Sequence, residues 1–276
     1  FKTFKEWLLK KSQTHALLKR LLSLSFMNDF VACQDSKKPV PAPEDALLVI
    51  DMADESPYLP KNFRVCEEPF GFDKMALFKI KNKHLPSRQG MDDLKCSGSA
   101  QFSGSSLPTM LHLIKQPLMV FDLRLEPHFF NNGYAISFFC YRNDYYNSTY
   151  SDQWFETECR LLRELNDNNK DHITLNIITD KQHKRILNSE PALVDKGVLL
   201  TEENFLKEHH INYQRLPVLD GHLPHPLVVD QFLATIKTLP HDMWVHFHCR
   251  GGKGRTNTFM VMYDMYRNAR HVSLDD

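Results

Sequence analysis

The stretch HFHCRGGKGRTNTF, from His246 to Phe259, constrains this 276-residue chain more than any other segment does. The apolar run MWVHF leads into it and predicts a buried strand, and residues with helical spacing follow it. Between them, Gly251, Gly252 and Gly254 allow consecutive backbone N–H groups to converge into a concave nest. The start of the helix adds unpaired N–H groups and the positive end of its dipole. This order of elements predicts a site for a phosphate-sized anion.

Cys249 opens the loop and Arg255 closes it, with the spacing C-x5-R. That spacing alone arises by chance in roughly one such chain in four, so the surrounding strand, glycines and helix decide its meaning. Arg255 has the planar, two-pronged guanidinium that grips a phosphate. The same N–H donors and dipole favour the nucleophilic thiolate of Cys249. Thr256 follows directly and could hydrogen-bond the sulfur.

Two other interpretations of Cys249 stay open from the residues alone. A zinc site would require His246, His248 and Cys249 to converge from an extended strand, which their spacing opposes, and the chain has no C-x-x-C. A structural cysteine would pack as a small apolar residue. The basic neighbours Arg250 and Lys253 disfavour that interpretation. We therefore expect no metal and no cofactor.

Charge, cysteine spacing and hydropathy restrict which partners and which kind of protein the sequence fits. The chain has 34 Lys and Arg residues and 34 Asp and Glu residues, so its formal net charge is zero and no overall field favours nucleic acid. Its six cysteines are widely spaced, which favours free thiols over a disulfide framework. No apolar run reaches the length of about eighteen residues that a transmembrane helix needs. Because the sequence begins with Phe1, we expect the natural start to lie upstream.

The sequence divides into an N-terminal segment, residues 1–45, and one domain, residues 46–276. Residues 1–26 predict a basic amphipathic helix or helix pair, and a Pro-rich, charged linker follows. Docking on its own domain is the simpler role for such a helix. Contact with an anionic membrane is the alternative.

Strands alternate with helices in the second part, which predicts an α/β domain. The predicted strands cover residues 46–52, 118–123, 135–141, 173–179 and 243–249. The predicted helices cover residues 152–166, 225–239 and 255–269.

With these residues in view, HCRGGKGRT resembles the phosphate loop of the cysteine-dependent, tyrosine-phosphatase-like superfamily. Other segments are similar to bacterial protein-tyrosine-phosphatase-like phytases, which are inositol polyphosphate phosphatases. The resemblance covers about residues 46–270 and implies a tyrosine-phosphatase-like central sheet flanked by helices, with a small additional lobe. The segments that carry it are LPKNFRV (59–65), CSGSAQFS (96–103), FDLRLEPHFFNNG (121–133) and RLPVLDGHLPHPLVVDQFL (215–233).

The resemblance implies a general acid at Asp220, on a loop upstream of the cysteine. A carboxylic acid also suits the chemistry, because it can protonate an alkoxide leaving group and then deprotonate the attacking water. A simple turn at the Asp-Gly pair is the alternative. The family has His directly after this Asp, whereas here Gly221 intervenes before His222. We carry His222 over as a substrate contact.

The resemblance also implies that Arg64 lines the substrate pocket. Asp122 belongs to the same set of predicted substrate-site residues, within a segment that we expect to brace the site and shape its rim. That segment continues through Arg124, Glu126 and His128. For Arg124 and Glu126, an ion network at the end of a strand is an equally good interpretation.

The substrate prediction depends on two extra cations in the loop, Arg250 and Lys253. They suit a substrate with several phosphates, because a focused positive field attracts a polyanion. We expect a metal-independent phosphomonoesterase for inositol polyphosphates, with phosphoinositide lipids and phosphotyrosine proteins as alternatives. A scaffold that only binds phosphorylated ligands is a further alternative, although Cys249 and Asp220 are both present. The resemblance implies a secreted bacterial protein, such as a periplasmic one, whereas a working thiolate and widely spaced cysteines equally suit delivery into a host cell.

Overall fold

A computed structural model describes residues 47–51, 59–68, 87–114, 117–139, 154–182 and 185–272. Within these residues the chain forms ten strands and five helices. The strands are β1 (Leu47–Ile50), β2 (Arg64–Val65), β3 (Cys96–Ser99), β4 (Leu118–Arg124), β5 (His128–Asn131), β6 (Tyr134–Phe139), β7 (His172–Gln182), β8 (Arg185–Asp195), β9 (Asn212–Val218) and β10 (Trp244–His248). The helices are α1 (Leu107–Leu113), α2 (Trp154–Asp167), α3 (Glu202–Glu208), α4 (Pro226–Thr238) and α5 (Gly254–Asn268).

One sheet has the order β2-β3-β10-β4-β9 and carries the cysteine loop. Its middle strand, β10, runs parallel to β3 and β4, and every residue of β10 is buried. A strand buried on both faces reads as a continuous apolar run, which explains the MWVHF signal. The ring of Phe247 stacks on Phe121 at 5.3 Å and lies 5.8 Å from Phe232 of α4. The loop after β10 leaves the carboxyl end of the sheet, where α/β sheets bind ligands.

The second sheet has the order β5-β6-β1-β7-β8 and forms the additional lobe. Its longest part is the antiparallel pair of β7 and β8, with eleven residues in each strand. A separate apolar cluster lies between this sheet and α2, and it includes Ile136, Leu161 and Leu175. The chain passes from the first sheet to the second between β4 and β5, through residues 125–127.

Local sequence signals explain where several helices begin. Pro226 is the first residue of α4, a position where its fixed φ is favourable and its missing N–H costs nothing. Thr201 caps α3 by accepting a hydrogen bond from the N–H of Asn204 at 3.2 Å. Glu202 and Glu203 lie in the first turn of α3, where negative charge is favourable.

The structure confirms the α/β class, with a tyrosine-phosphatase-like sheet and an additional lobe. The predicted strands correspond to β1, β4, β6, β7 and β10, and the predicted helices to α2, α4 and α5. The predicted basic helix in residues 1–26 lies outside the described residues, and the domain boundary at residue 45 stays a prediction. In the part of the chain that the structure describes, no helix has the length and apolarity to cross a membrane.

Candidate active site

Cys249 follows β10 directly and lies buried at the base of the loop. The hydroxyl of Thr256, in the first turns of α5, donates a hydrogen bond to the Cys249 sulfur at 3.2 Å. This is the contact that the sequence suggested. The same hydroxyl lies 3.4 Å from the carbonyl oxygen of Ser99 at the end of β3. The sulfur is therefore held between the central strand and the helix that follows it.

Gly252 is the glycine that the loop geometry requires. Its φ is +65°, and a Cβ at this position would lie 2.2 Å from the backbone nitrogen of Ala100 and 2.5 Å from the carbonyl carbon of Ser99. Only a residue without a side chain allows β3 to approach the loop this closely. At Gly251 and Gly254 a Cβ would meet nothing within 4 Å. Close packing therefore does not require glycine at those two positions.

Two side chains hold the outer side of the loop. The amide of Asn62 donates to the carbonyl oxygen of Gly251 at 2.8 Å, and Arg64 donates to that of Gly252 at 2.8 Å. In a trans peptide the N–H points away from the C=O, so the next two N–H groups face away from Asn62 and Arg64. An anion-binding nest requires this orientation.

Arg64 braces the loop from β2 and also reaches the start of α5. Its guanidinium donates to the side-chain oxygen of Asn257 and to the carbonyl oxygen of Asn62. Burial lowers the pKa of Arg64, and the nearby Cys249 partly opposes this shift. The predicted pocket residue therefore lies within electrostatic reach of the sulfur. Its direct contact with a substrate stays a prediction.

Arg255 is buried and held by a bidentate ion pair with Glu126. The two N–O distances are 2.7 and 3.0 Å, and Arg255 also donates to the carbonyl oxygen of Val218 at 3.0 Å. Burial opposes the charge, but Glu126 outweighs it and raises the pKa of Arg255. The Nε atom of Arg255 has no hydrogen-bond partner among the described residues. A buried, unpaired donor on a fixed guanidinium suits an anionic ligand.

Glu126 is in turn linked to Arg124, which lies wholly inside the protein. Arg124 donates to Glu126 at 3.1 Å, to Asp51 at 2.8 Å and to Gln101 at 2.7 Å. Burial alone would raise the pKa of Glu126, but Arg255 and Arg124 hold it well below its ordinary value. The ion network that the sequence left open is therefore present, and it also fixes the position of Arg255.

Asp220 lies on the loop between β9 and α4, beside the cysteine loop. Its carboxylate oxygen is 3.3 Å from Nη2 of Arg255, and 30% of its side chain is exposed. Gly221 has a φ of +80°, and the N–H of His222 donates to the carbonyl oxygen of Leu219 at 3.1 Å, which closes a turn. The inserted glycine thus changes the direction of the chain directly after the predicted acid.

His222 is exposed, and its ring Nδ1 lies 3.1 Å from the carbonyl oxygen of Asp220. Its contact with a substrate phosphate stays a prediction. Lys253 is also exposed, at the residue before α5. Both residues are at the surface near the loop, where a ligand larger than a single phosphate could meet them.

Arg250, the residue after Cys249, contacts two residues of the second lobe, and its contact with a substrate stays a prediction. Its Nε donates to Asp51 at 2.8 Å, and its guanidinium lies 4.6 Å from the centre of the Phe139 ring. Asp51 and Phe139 both belong to the second lobe. The cation that the sequence assigned to a substrate phosphate is thus paired with an acid of the protein.

Asp122 is fully buried, and its direct contact with a substrate stays a prediction. Its carboxylate accepts hydrogen bonds from the Tyr213 hydroxyl at 2.9 Å and from the Arg124 backbone at 2.8 Å. Burial would raise the pKa of Asp122, but His128 and Arg215 hold it well below its ordinary value. Bracing of the site, which the sequence indicated for this segment, fits these contacts.

Glu202 is the main residue of the site region that sequence reasoning missed. Its carboxylate lies 2.7 Å from His248, the residue before Cys249, and 3.1 Å from His128. It also accepts a hydrogen bond from Gln101 at 2.9 Å. The short capping pattern at the start of α3 was its only sequence signal. It did not indicate where α3 would pack.

Asp122, His128 and Glu202 form the one group of possible metal ligands in the described part of the chain, with all three ligand atoms within 4.8 Å of one another. Burial and Arg124 oppose protonation of His128, but Asp122 outweighs them and raises its pKa to about 9. A protonated imidazole between two carboxylates balances their charge without a metal ion. His246, part of the zinc alternative, has both ring nitrogens within 3.1 Å of serine hydroxyls.

Three solved structures resemble this chain over most of its length. The tandemly repeated protein tyrosine phosphatase like phytase from Mitsuokella multacida is 35% identical, with a TM-score of 0.73, over 86% of this chain and 39% of that one. The PTP-like myo-inositol phosphatase from the same organism, in complex with myo-inositol-(1,3,4,5)-tetrakisphosphate, is 34% identical, with the same TM-score and coverage. A PTP-like phytase from Bdellovibrio bacteriovorus is 30% identical, with a TM-score of 0.59, over 87% of this chain and 74% of that one. The fold is that of the PTP-like phytases.

Among curated proteins, the effector protein hopD2 of Pseudomonas syringae pv. tomato is 29% identical in an alignment of 215 positions that covers 73% of this chain and 44% of hopD2. This chain spans less than half the length of hopD2 and of the two Mitsuokella chains. A model of the PTP-like phytase family matches residues 121–267, which is more than half of the chain. The description of that family is inositol hexakisphosphate. The chain belongs to the protein-tyrosine-phosphatase-like phytase family.

Proposed function

We propose that this chain is a metal-independent phosphomonoesterase that hydrolyses inositol polyphosphates through a cysteinyl-phosphate intermediate on Cys249. The observation that carries the proposal is the contact between two neighbouring loops, one with Cys249 and Arg255 and the other with Asp220. Thr256 bonds the sulfur of Cys249 at 3.2 Å, and the adjacent Arg255 lies 3.3 Å from Asp220. Adjacent residues of α5 thus contact a candidate nucleophile, through Thr256, and a candidate general acid, through Arg255.

In the first step, the thiolate of Cys249 attacks phosphorus in line with the inositol oxygen. The S–P bond forms while the P–O bond breaks, and its electron pair goes to the leaving oxygen. Asp220, in its protonated form, gives that oxygen its proton. The loop N–H groups and Arg255 stabilise the charge on the three equatorial phosphate oxygens.

In the second step, water attacks the phosphorus of the cysteinyl-phosphate. Asp220, now a carboxylate, takes a proton from this water, while the electrons of the S–P bond return to the sulfur. The hydrogen bond from Thr256 stabilises the departing thiolate. Inorganic phosphate leaves, and the starting form of the site is restored. Both steps use side chains and backbone groups alone.

Two observations support an inositol polyphosphate as the substrate. The chain belongs to the PTP-like phytase family, and one relative was solved with an inositol tetrakisphosphate. The exposed Lys253 and His222 lie on the two loops that carry Cys249 and Asp220. We propose that they meet phosphates that are not being hydrolysed, with Arg64 closer to the sulfur.

The test is phosphate release, in the presence of a chelator, from three substrates: inositol hexakisphosphate, vesicles that contain a phosphoinositide, and a phosphotyrosine peptide. We expect the fastest release from inositol hexakisphosphate, and Cys249→Ser should abolish release while phosphate binding persists. Cys159→Ser changes a different free cysteine on α2 and is the matched control. Faster release from the peptide or the vesicles would refute the substrate, and near-wild-type activity of Cys249→Ser would refute the mechanism.

A further inference from the structure

The buried carboxylate of Asp51, in the second lobe, contacts the cysteine loop. Asp51, directly after β1, has an exposed fraction of only 3%, and its carboxylate accepts three hydrogen bonds of 2.8 Å. The donors are Nε of Arg250, Nη1 of Arg124 and the hydroxyl of Ser137. The backbone N–H of Asp51 donates to the carbonyl oxygen of Ala135, also at 2.8 Å. Asp51 is therefore fixed to β6 on one side and to two arginines on the other.

The two arginines that Asp51 contacts support different ends of the C-x5-R loop. Arg250 immediately follows Cys249, so its position determines how the loop leaves the sulfur. Arg124 bonds Glu126, and Glu126 holds the guanidinium of Arg255. One acid outside the first sheet thus supports both the start and the end of the C-x5-R loop.

Besides Asp51, the side chain of Arg250 also contacts an aromatic ring. Its guanidinium lies 4.6 Å from the ring centre of Phe139, and 13% of the side chain is exposed. A cation over an aromatic ring and paired with a buried carboxylate has part of its charge already neutralised. Moving it onto a substrate phosphate would leave the Asp51 carboxylate with Arg124 alone as its cation.

We propose that Asp51 is a positioning residue that fixes the Cys249 loop from the second lobe through Arg250, and that Arg250 sets the loop geometry instead of binding a second substrate phosphate. This replaces the role that the sequence suggested for Arg250. The kinetic readouts below rest on the proposed function. The site would then select multiply phosphorylated substrates through cations other than Arg250.

The two roles of Arg250 predict opposite results for Asp51→Asn. If Arg250 bound a substrate phosphate, removal of its acid would free the guanidinium and lower KM for inositol hexakisphosphate. If Arg250 positions the loop, the same change loosens the loop and lowers kcat on every substrate. An aryl monophosphate has no second phosphate, so it separates the two roles.

The experiment measures kcat and KM of Asp51→Asn, Arg250→Met and the double variant on p-nitrophenyl phosphate and on inositol hexakisphosphate. We expect kcat to fall roughly 10- to 100-fold on both substrates, as misplacement of catalytic groups does, with KM changed by less than about twofold. The double variant should be no worse than the poorer single variant, because both changes break one contact. Arg160→Met, which breaks a surface ion pair on α2, is the control and should leave both constants unchanged.

A loss confined to KM for inositol hexakisphosphate, or a lower KM in Asp51→Asn, would overturn the proposal. Asp51→Asn also removes a partner of Arg124, so folding is checked by thermal denaturation. Arg250→Met, which leaves that pair intact, decides the matter if Asp51→Asn does not fold.

A second readout needs no turnover and separates this inference from the proposed function. The protein is treated with iodoacetamide, and mass spectrometry of the Cys249 peptide measures how well inorganic phosphate protects this thiol from alkylation. We expect protection to require at least about tenfold more phosphate in Arg250→Met than in the wild type, as for misplaced binding groups. Equal protection would overturn the positioning role. If the wild type hydrolyses neither substrate, the proposed function fails, and this measurement still decides the role of Asp51 and Arg250.

Discussion

Glu126→Gln tests the ion pair that fixes Arg255, and the structure allows its effect to be worked out. The carboxylate of Glu126 receives both Nη atoms of Arg255 and Nε of Arg124, and its side chain is 3% exposed. The amide has nearly the same shape but carries no charge, and its NH2 group would face a guanidinium donor. Arg255 would keep Asp220 and the carbonyl oxygen of Val218 as partners.

The expected magnitude follows from the burial of the pair. Removal of one partner of a buried ion pair costs about 3–5 kcal/mol, because the other charge stays buried without compensation. We expect the unfolding free energy of Glu126→Gln to fall by about 3 kcal/mol, at the lower end of that range, because Arg255 keeps Asp220 and Val218 as partners. A freed guanidinium also moves relative to the phosphate, so kcat should fall by roughly 100-fold.

Urea denaturation monitored at several pH values measures this loss. The pKa of Glu126 is held below its ordinary value of 4.5, so its stabilising effect is fully present above pH 4.5. It is lost as the pH falls below 4.5 toward the pKa of the folded state. The difference in unfolding free energy between wild type and Glu126→Gln should therefore be constant near neutral pH and shrink in acid.

Glu164→Gln is the matched control, since Glu164 forms an exposed pair with Arg160 and is 56% exposed. Such surface pairs contribute about 0–1 kcal/mol. A loss for Glu126→Gln no larger than that of the control would refute the argument that this pair fixes Arg255. A loss that did not change with pH would show that charge is not its cause.

Three further changes test the loop and the acid. Asp220→Asn should slow hydrolysis of inositol hexakisphosphate more than that of an activated aryl phosphate, whose leaving group needs no proton; an equal loss in steady-state kinetics would indicate another acid. Gly252→Ala should lower the unfolding free energy in urea denaturation by about 1–3 kcal/mol, because its Cβ would meet the backbone of Ala100. Gly254→Ala should leave the unfolding free energy unchanged. Equal stability of the two variants would contradict the loop geometry. Lys253→Met should raise KM for inositol hexakisphosphate more than for a phosphotyrosine peptide, and the reverse order would favour a protein substrate.

The loop itself could be predicted because its signals are local. The buried strand, the glycines, Cys249, Arg255 and the following helix lie within one continuous stretch of sequence. The contact of Thr256 with the sulfur also comes from residues seven apart in the sequence. Spacing and residue type were enough for this part, as they were for α4 and its N-terminal proline.

The support of the loop could not be predicted because its contacts join distant residues. Asp51 meets Arg250 across 199 positions, and Glu126 meets Arg255 across 129. In the sequence, Arg250 lies close to Lys253 and Arg255, and no nearby residue indicates that an acid would pair with it. Glu202 is similarly placed only by the packing of α3, so neither its link to His248 nor the neutralisation of Arg250 is visible before the fold is known.

The strand β8 was missed for a different reason. It is the edge strand of the second sheet and contains Pro191, a residue that lowers the strand signal but is tolerated at an edge. Its partner β7 extends to Gln182, beyond the predicted end at residue 179. Edge strands with partly exposed faces lack the apolar run that identified β10.

The measurement that tests the central claim most directly is the chemical trapping of the intermediate. The Asp220→Asn variant, which cannot activate water well, is mixed with p-nitrophenyl phosphate, whose leaving group needs no proton, and quenched within milliseconds to seconds, and its peptides are analysed by mass spectrometry. We predict a phosphoryl group on the sulfur of Cys249, absent from the Cys249→Ser protein. Turnover without any such adduct, or a phosphoryl group on a different residue, would contradict the account.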